Sequence, residues 1–328
     1  MDGVLNVNKP AGPTSHDIVL RVRRLLAEKR VGHTGTLDPL ATGVLVVCIG
    51  KATRIVEYLV SQDKEYAAEM VLGRTTTTED LAGEETSATN ASHITRAMVE
   101  EVLPRFTGRI LQVPPMVSAI KHKGRRLYEL ARKDIEVERQ PREVTIHRLE
   151  VTGLNSDRLS QLSTFNFQLS TPNSQPSTLN PQPSTLSIGL LVVCSSGTYI
   201  RTLCADIGAA LGVGGCMRSL IRRRVGPFDL EHSVELEALE QAAAEGRAEA
   251  LIVPMDEALS GFPAVTADPV QAGTLARGGG IPATLSAPEG TLVRVRSGGG
   301  ELLAIGRVHP RGRASVIMPE KVFVESKP

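Results

Sequence analysis

Residues 43–50 read GVLVVCIG, a continuous run of apolar and β-branched side chains without polar alternation. A run of this kind suits a strand covered on both faces, so the chain must place a layer above it and another below. With 328 residues it is long enough to do so, and that length favours about two domains. Directly before the run stands GHTGTLDPLATG, residues 32–43. Its glycines permit a tight backbone path, and Pro39 biases Asp38 away from the helical region. A carboxylate is therefore presented from a loop at the entrance to a buried strand. Taken alone, Asp-Pro between Gly and Thr is most often a turn, and His33 most often a surface or capping residue.

Around this centre the pattern is mixed. Residues 4–8 (VLNVN) read as a short strand, after which Pro10 and Pro13 impose an irregular connection. A helix follows, capped by Thr14 or Ser15, with Ile18, Val19, Val22, Leu25 and Leu26 at helical spacing up to Glu28. Strand-like runs recur at 66–72, 143–153 and 188–194, and helical patterns near 52–60, 95–106, 198–211 and 233–245. The order lacks regular βαβ alternation, which points to an α+β fold with a mixed, largely antiparallel sheet. Beyond residue 260 Gly and Pro become frequent, with short strand-like runs at 291–296, 301–308, 314–318 and 321–324. They predict a separate small β-barrel, with the division falling at 1–255 and 256–328.

Residues 155–187 stand apart, rich in Ser, Thr, Asn, Gln and Pro, with QPSTL at 175–179 and again at 182–186. Such a composition cannot bury enough apolar surface to offset chain entropy and reads as a disordered insertion. Strand signals flank it, so it is expected to lengthen a hairpin loop rather than separate domains. The four cysteines, Cys48, Cys194, Cys204 and Cys216, show no CxxC pairing and sit among apolar residues, reading as reduced thiols and not as metal ligands. A formal net charge of +1 gives no global cationic field. Basic residues cluster locally, at Arg21–Arg24, at 121–126 and at 222–224. The absence of a basic-then-apolar leader or a bilayer-length apolar stretch favours a cytoplasmic chain without membrane attachment.

Several blocks, in order along most of the chain, resemble the TruB family of tRNA pseudouridine synthases: GVLNVNKPAGPTS, GHTGTLDPLATGVL, DKEYAAEMVLG, PPMVSAIKHKGRRLYELAR and SSGTYIRTLCADIG. The resemblance implies isomerisation of uridine 55 in the tRNA T-loop: the bond from ribose C1′ to uracil N1 breaks, the base turns, and C1′ rejoins C5. That reaction is redox-neutral and calls for no cofactor and no metal. It needs an anionic side chain beside sugar and base, as nucleophile or as base towards the C2′ proton. By resemblance Asp38 has that role. A carboxylate in a dry pocket tends to hold its proton unless a cation faces it, and Arg201 occupies the family position for that partner. Tyr66 matches the tyrosine that stacks on the target base, Tyr199 lines the same pocket and Leu220 forms an apolar wall.

Chemistry at C1′ and C5 demands an everted nucleotide, and His33 is expected to fill the gap it leaves. Lys9 matches the family's N-terminal lysine, packing close to the site. Lys121, Lys123, Arg125, Arg126, Arg222 and Arg223 are expected on the tRNA backbone. The C-terminal barrel resembles a PUA domain, gripping the tRNA away from the modified loop. The implied partner is tRNA, through its T-loop and elbow, and the chain is expected to act alone as a monomer. Three rivals stand beside this reading: a guide-RNA-dependent synthase of the dyskerin type, a tRNA-folding chaperone without catalysis, and a structural β-rich protein.

Overall fold

A computed structural model of the protein describes residues 1–118, 120–122, 124–131, 133, 135–154, 185–311 and 314–324. They pack into two units: Met1–Pro39 with Gly43–Gln62 and Arg224–Pro328, and Leu40–Thr42 with Asp63–Arg223. The fold is α+β.

In the first unit the strand Gly3–Lys9 pairs antiparallel with Thr42–Ile49, placing Lys9 opposite Gly43. Val31–His33 pairs with the same strand, with His33 opposite Val47. From Val44 to Ile49 every residue is buried, as expected for a strand covered on both faces. The helix Ser15–Leu25 starts in a capping box: Thr14 accepts from the Asp17 amide, and Asp17 accepts from the Thr14 amide. The Thr14 hydroxyl and then the Thr14 amide donate to the Asp17 carboxyl and hold it below its ordinary range.

The C-terminal residues of this unit form a five-stranded sheet in the order Ala264–Thr266, Leu292–Arg296, Leu302–Arg311, Ala314–Val322, Ile281–Pro282. Its own core holds Val265, Leu275, Val293, Val295, Val308 and Ile317. The runs expected at 314–318 and 321–324 merge into one strand through Pro319. Pairing slips by a residue between Ile305 and Gly306, opposite Pro319, where a missing amide costs least. Gly306 allows the close approach, because a Cβ there would stand 2.6 Å from the Met318 carbonyl oxygen. A second core runs through residue 255 without a break, joining Val4, Val46 and Ile55 to Leu302, Ile305 and Phe323. Each such aliphatic side chain contributes roughly 1.5–3 kcal/mol on burial.

The second unit is built on neighbouring strands in the order Gly215–Val225, Lys64–Leu72, Leu186–Cys194, Arg142–Leu154, Gly108–Gln112. Leu186–Cys194 lies antiparallel to both of its neighbours, and Arg142–Leu154 to Gly108–Gln112. Leu154 faces Ile188, so the Ser/Pro-rich segment joins two adjacent antiparallel strands, as a lengthened hairpin loop does. The reading of that segment as disordered falls, for 155–184, outside the described residues. Its C-terminal limit is corrected: Leu186 and Ser187 already pair with Leu72 and Val71. The expected helices are shorter, at Arg96–Val102 and Ile200–Ala210, with a 3-10 turn at Leu103–Phe106. All four cysteines are buried. Burial pushes the Cys48 thiol up to about 12 and those of Cys194 and Cys216 to about 11, the behaviour of small apolar side chains.

Candidate active site

Asp38 sits, half-buried, between two pinned neighbours. On one side, the Ser15 hydroxyl donates to the Leu37 carbonyl (3.0 Å) and accepts from the Leu37 amide (2.8 Å). Ser15 can do this because the capped helix begins at that residue. On the other side, the Pro39 carbonyl accepts from the Gly12 amide (2.8 Å) and from Lys9 Nζ (3.1 Å). Lys9 is fully buried and also donates to the Pro10 carbonyl at 2.9 Å. A buried ammonium survives only where oxygen atoms replace its water. Lys9 thereby anchors the loop next to Asp38. Further along the same loop Thr34 donates to the Val46 carbonyl (3.0 Å), and the Gly35 amide donates to His33 Nδ1 (3.3 Å). That bond puts the proton of a neutral His33 on Nε2. Lys9, His33 and Asp38 thus converge on one loop of the first unit.

The second unit holds the other expected residues. Arg201 lies in the first turn of the Ile200–Ala210 helix and is only 4 % exposed. Its two terminal nitrogens donate to the Thr78 carbonyl (3.1 Å) and the Val117 carbonyl (2.8 Å), while Nε lies 3.8 Å from the Asp80 carboxylate. The planar fork of arginine matches this set of acceptors, and lysine has no equivalent. The helix start is itself fixed by Gln112, whose amide group accepts from the Tyr199 amide (3.0 Å) and donates to the Tyr199 carbonyl (3.2 Å).

Tyr66 is buried on the Lys64–Leu72 strand, and Leu220 is buried on the adjacent Gly215–Val225 strand. Alternation puts Lys64 on the face of Tyr66, and Arg222 on the face of Leu220. Both cations are buried. Burial, and then the charge of Arg222, push the Lys64 ammonium down to about 8. Arg222 therefore departs from expectation: at 2 % exposure it is an inward-facing residue and not a surface contact for phosphate. Arg223, on the opposite face, is partly exposed and lies 3.5 Å from Glu65. Lys121, Arg125 and Arg126 lie exposed on a short hairpin, with the Arg126 guanidinium 5.9 Å from the Tyr128 ring centre. Lys123 lies outside the described residues.

Two family descriptions match the chain: the N-terminal domain of the TruB family of pseudouridylate synthases over residues 23–173, and the C-terminal domain of tRNA pseudouridylate synthase B over residues 201–260. The tRNA pseudouridine synthase B of Geobacillus thermodenitrificans is 42 % identical, covering 98 % of this chain and 100 % of its own. That of Geobacillus kaustophilus is 46 % identical over 80 % of this chain and 85 % of its own.

The chain belongs to the TruB family.

Among solved structures it is similar to one of an H/ACA RNP bound to a substrate RNA containing 2′-deoxyuridine, at 25 % identity and a TM-score of 0.68, covering 99 % of this chain and 86 % of that one. A Cbf5–Nop10–Gar1 complex matches at 28 % identity and the same TM-score, covering 99 % and 85 %. The α+β catalytic scaffold with a small PUA-like C-terminal sheet is thus the architecture that this TruB-family chain shares with its solved relatives.

Several site residues of this TruB-family chain went unread in the sequence. Thr78 ends a run of four threonines, and Asp80 lies two residues beyond it, in TTTTED, whose hydroxyl-rich, acidic character marks a tightly hydrogen-bonded turn. Gln112 carries no local signal: its role depends on a partner 87 residues away. Lys64 was visible in DKEY, two positions from Tyr66, where strand alternation alone puts both on one face.

Proposed function

We propose that the protein converts uridine 55 in the T-loop of tRNA to pseudouridine, as an isomerase acting alone in the cytoplasm. One observation carries this reading: near end-to-end similarity, at 42 % identity, to a protein named tRNA pseudouridine synthase B. The pinned geometry around Asp38 supports it chemically. A carboxylate held between two fixed residues keeps its position while the base is exchanged, as proximity catalysis requires. The roles follow residue by residue. Asp38 attacks C1′ or removes the C2′ proton, Arg201 favours its ionised form, and Tyr66 stacks on the everted base. Tyr199 and Leu220 line the pocket, His33 fills the vacated stack, and Lys9 holds the Asp38 loop.

C1′–N1 breaks and C1′–C5 forms, while the C5 proton leaves to solvent and N1 gains one; the balance closes without cofactor or metal. Residues 1–255 carry catalysis, and residues 256–328 grip the tRNA at its elbow. The exposed cations of the Lys121–Arg126 hairpin contact the phosphate backbone. Among the described residues no helix is long and apolar enough to cross a membrane.

The solved relatives named as ribonucleoproteins favour a second reading, in which a guide RNA selects the target. Their 25–28 % identity stands against 42–46 % for the proteins named as tRNA enzymes, which favours the stand-alone one. Purified protein mixed with transcribed tRNA carrying 5-tritiated uridine decides the matter. Tritium release without added RNA is expected; release only with a guide RNA supports the second reading, and tRNA binding with no release supports a chaperone.

A further inference from the structure

Glu79 has φ +63°, in the left-handed region that side-chain-bearing residues avoid. Such a conformation persists only where the surroundings over-determine it, and here they do. The Glu79 carboxylate accepts from the Thr202 hydroxyl at 2.7 Å. Its carbonyl accepts from the Met217 amide at 2.9 Å, and the Met217 carbonyl in turn accepts from the Leu81 amide at 3.1 Å. The next carboxylate, Asp80, accepts from the Thr78 hydroxyl (2.5 Å) and the Ala82 amide (3.0 Å). Three consecutive residues of the turn therefore meet two consecutive residues of the helix start. Thr78 and Asp80 take Arg201, and Glu79 takes Thr202. The left-handed twist at 79 is what lets the carbonyl before it and the carboxylate after it point at one guanidinium while its own side chain reaches the next helical residue.

We propose that Glu79 is a positioning residue for Arg201: its clasp on Thr202 holds the 78–80 turn against the helix, so that Thr78 and Asp80 present their oxygens to the guanidinium. This rests on the role proposed above for Arg201. The clasp needs an acceptor at 79 and a donor at 202, and it needs no negative charge; glutamine at 79 supplies the acceptor and alanine does not.

Two readouts test it. Glu79→Ala is expected to lower kcat for tritium release about tenfold with KM for tRNA within twofold, and Glu79→Gln to restore kcat to within threefold of wild type. Thr202→Val should match the alanine variant, and the double variant should lose no more than either alone. Glu79→Gly, which accepts the backbone angle but lacks the carboxylate, should fall with alanine; recovery there would assign the effect to backbone strain and overturn the clasp. The second readout is independent of activity: the Nε–Hε resonance of Arg201, assigned by its loss in Arg201→Lys, should be sharp in wild type and Glu79→Gln, and broadened in Glu79→Ala. An unchanged resonance with wild-type kcat in Glu79→Ala overturns the proposal, as does parallel loss of kcat and Tm that glutamine fails to rescue. If the wild-type protein yields no pseudouridine, the functional reading fails, and the resonance still decides the positioning.

Discussion

The Asp38 loop and the Arg201 cradle solve the same problem, holding a polar group still out of bulk water, by different means. Around Asp38 the anchors act on the backbone: a serine clips Leu37, and a buried lysine and an amide clip Pro39. Around Arg201 the anchors act on the side chain itself, through two carbonyls and a nearby carboxylate. Anchors of the first kind set where the chain carries the carboxylate. Anchors of the second kind hold the guanidinium itself as a charge in a set place. The contrast matches the roles proposed for the two residues, an acting carboxylate and a static cation.

The largest effect should come from removing the acting group. Asp38→Asn keeps shape and backbone anchors but supplies neither nucleophile nor base, and is expected to lower tritium release at least about 10⁴-fold, a typical scale for losing a catalytic group that acts directly. Binding of tRNA, measured by filter retention, should stay within a fewfold. Release at a wild-type rate would remove Asp38 from the mechanism. Next in size, Arg201→Lys keeps the charge and loses the fork, since one ammonium cannot span the Thr78 and Val117 carbonyls as the guanidinium does. A fall of about 10²-fold in kcat is expected, within the range for losing one preorganised electrostatic contact. If lysine performs as well as arginine, side-chain anchoring is not what matters there, and the contrast between the two regions dissolves.

The two regions also differed in legibility. The buried strand Thr42–Ile49 and the loop before it were readable because both signals are local: apolar continuity in one, glycine and proline in the other. The strand Gly215–Val225 was not anticipated, although it carries Leu220 and Arg222. Four arginines in its eleven residues hide the alternation that marks a strand, and only the fold reveals that Arg222 faces inward while Arg218 and Arg223 offset Glu69 and Glu65. The Arg201 cradle was invisible for a related reason. Its acceptors, Thr78 and Val117, lie 123 and 84 residues away, and both offer backbone carbonyls, which every residue has. Asp38, by contrast, could be singled out because its family motif is contiguous.

A smaller effect tests the backbone side of the contrast. Lys9→Met preserves the apolar stem and removes the ammonium from between the Pro10 and Pro39 carbonyls. Pro39 keeps its bond from Gly12, so only part of the acceptor capacity is orphaned, and a loss of about 2 kcal/mol is expected in urea unfolding. Activity should fall with it while tRNA affinity holds, because the loop that carries Asp38 loosens. Full stability in the methionine variant would mean that the carbonyls do not need their cation.

Lys64 gives the finest test, because it is a buried cation set beside another. Its ammonium is pushed down to about 8 by burial and by Arg222, whereas in the unfolded chain it titrates near 10.5. Between those values the unfolded state binds more protons than the folded one, so stability rises with pH. The buried cysteines act in the opposite sense: their thiols are raised above the ordinary 9, so the folded state holds protons that the unfolded chain releases, and stability falls from about pH 9 upwards. Across pH 8 to 9 the lysine contributes a gain of about 1 kcal/mol by linkage, which the onset of thiol ionisation in the unfolded chain offsets, so the gain is read as the difference between wild type and Lys64→Met. Lys64→Met should lose the lysine contribution and show the cysteine-driven fall alone, so that its curve drops more steeply than that of wild type. Urea midpoints taken at quarter-unit steps would show it, and parallel curves for the two proteins would mean that Lys64 keeps its ordinary affinity for the proton despite its surroundings.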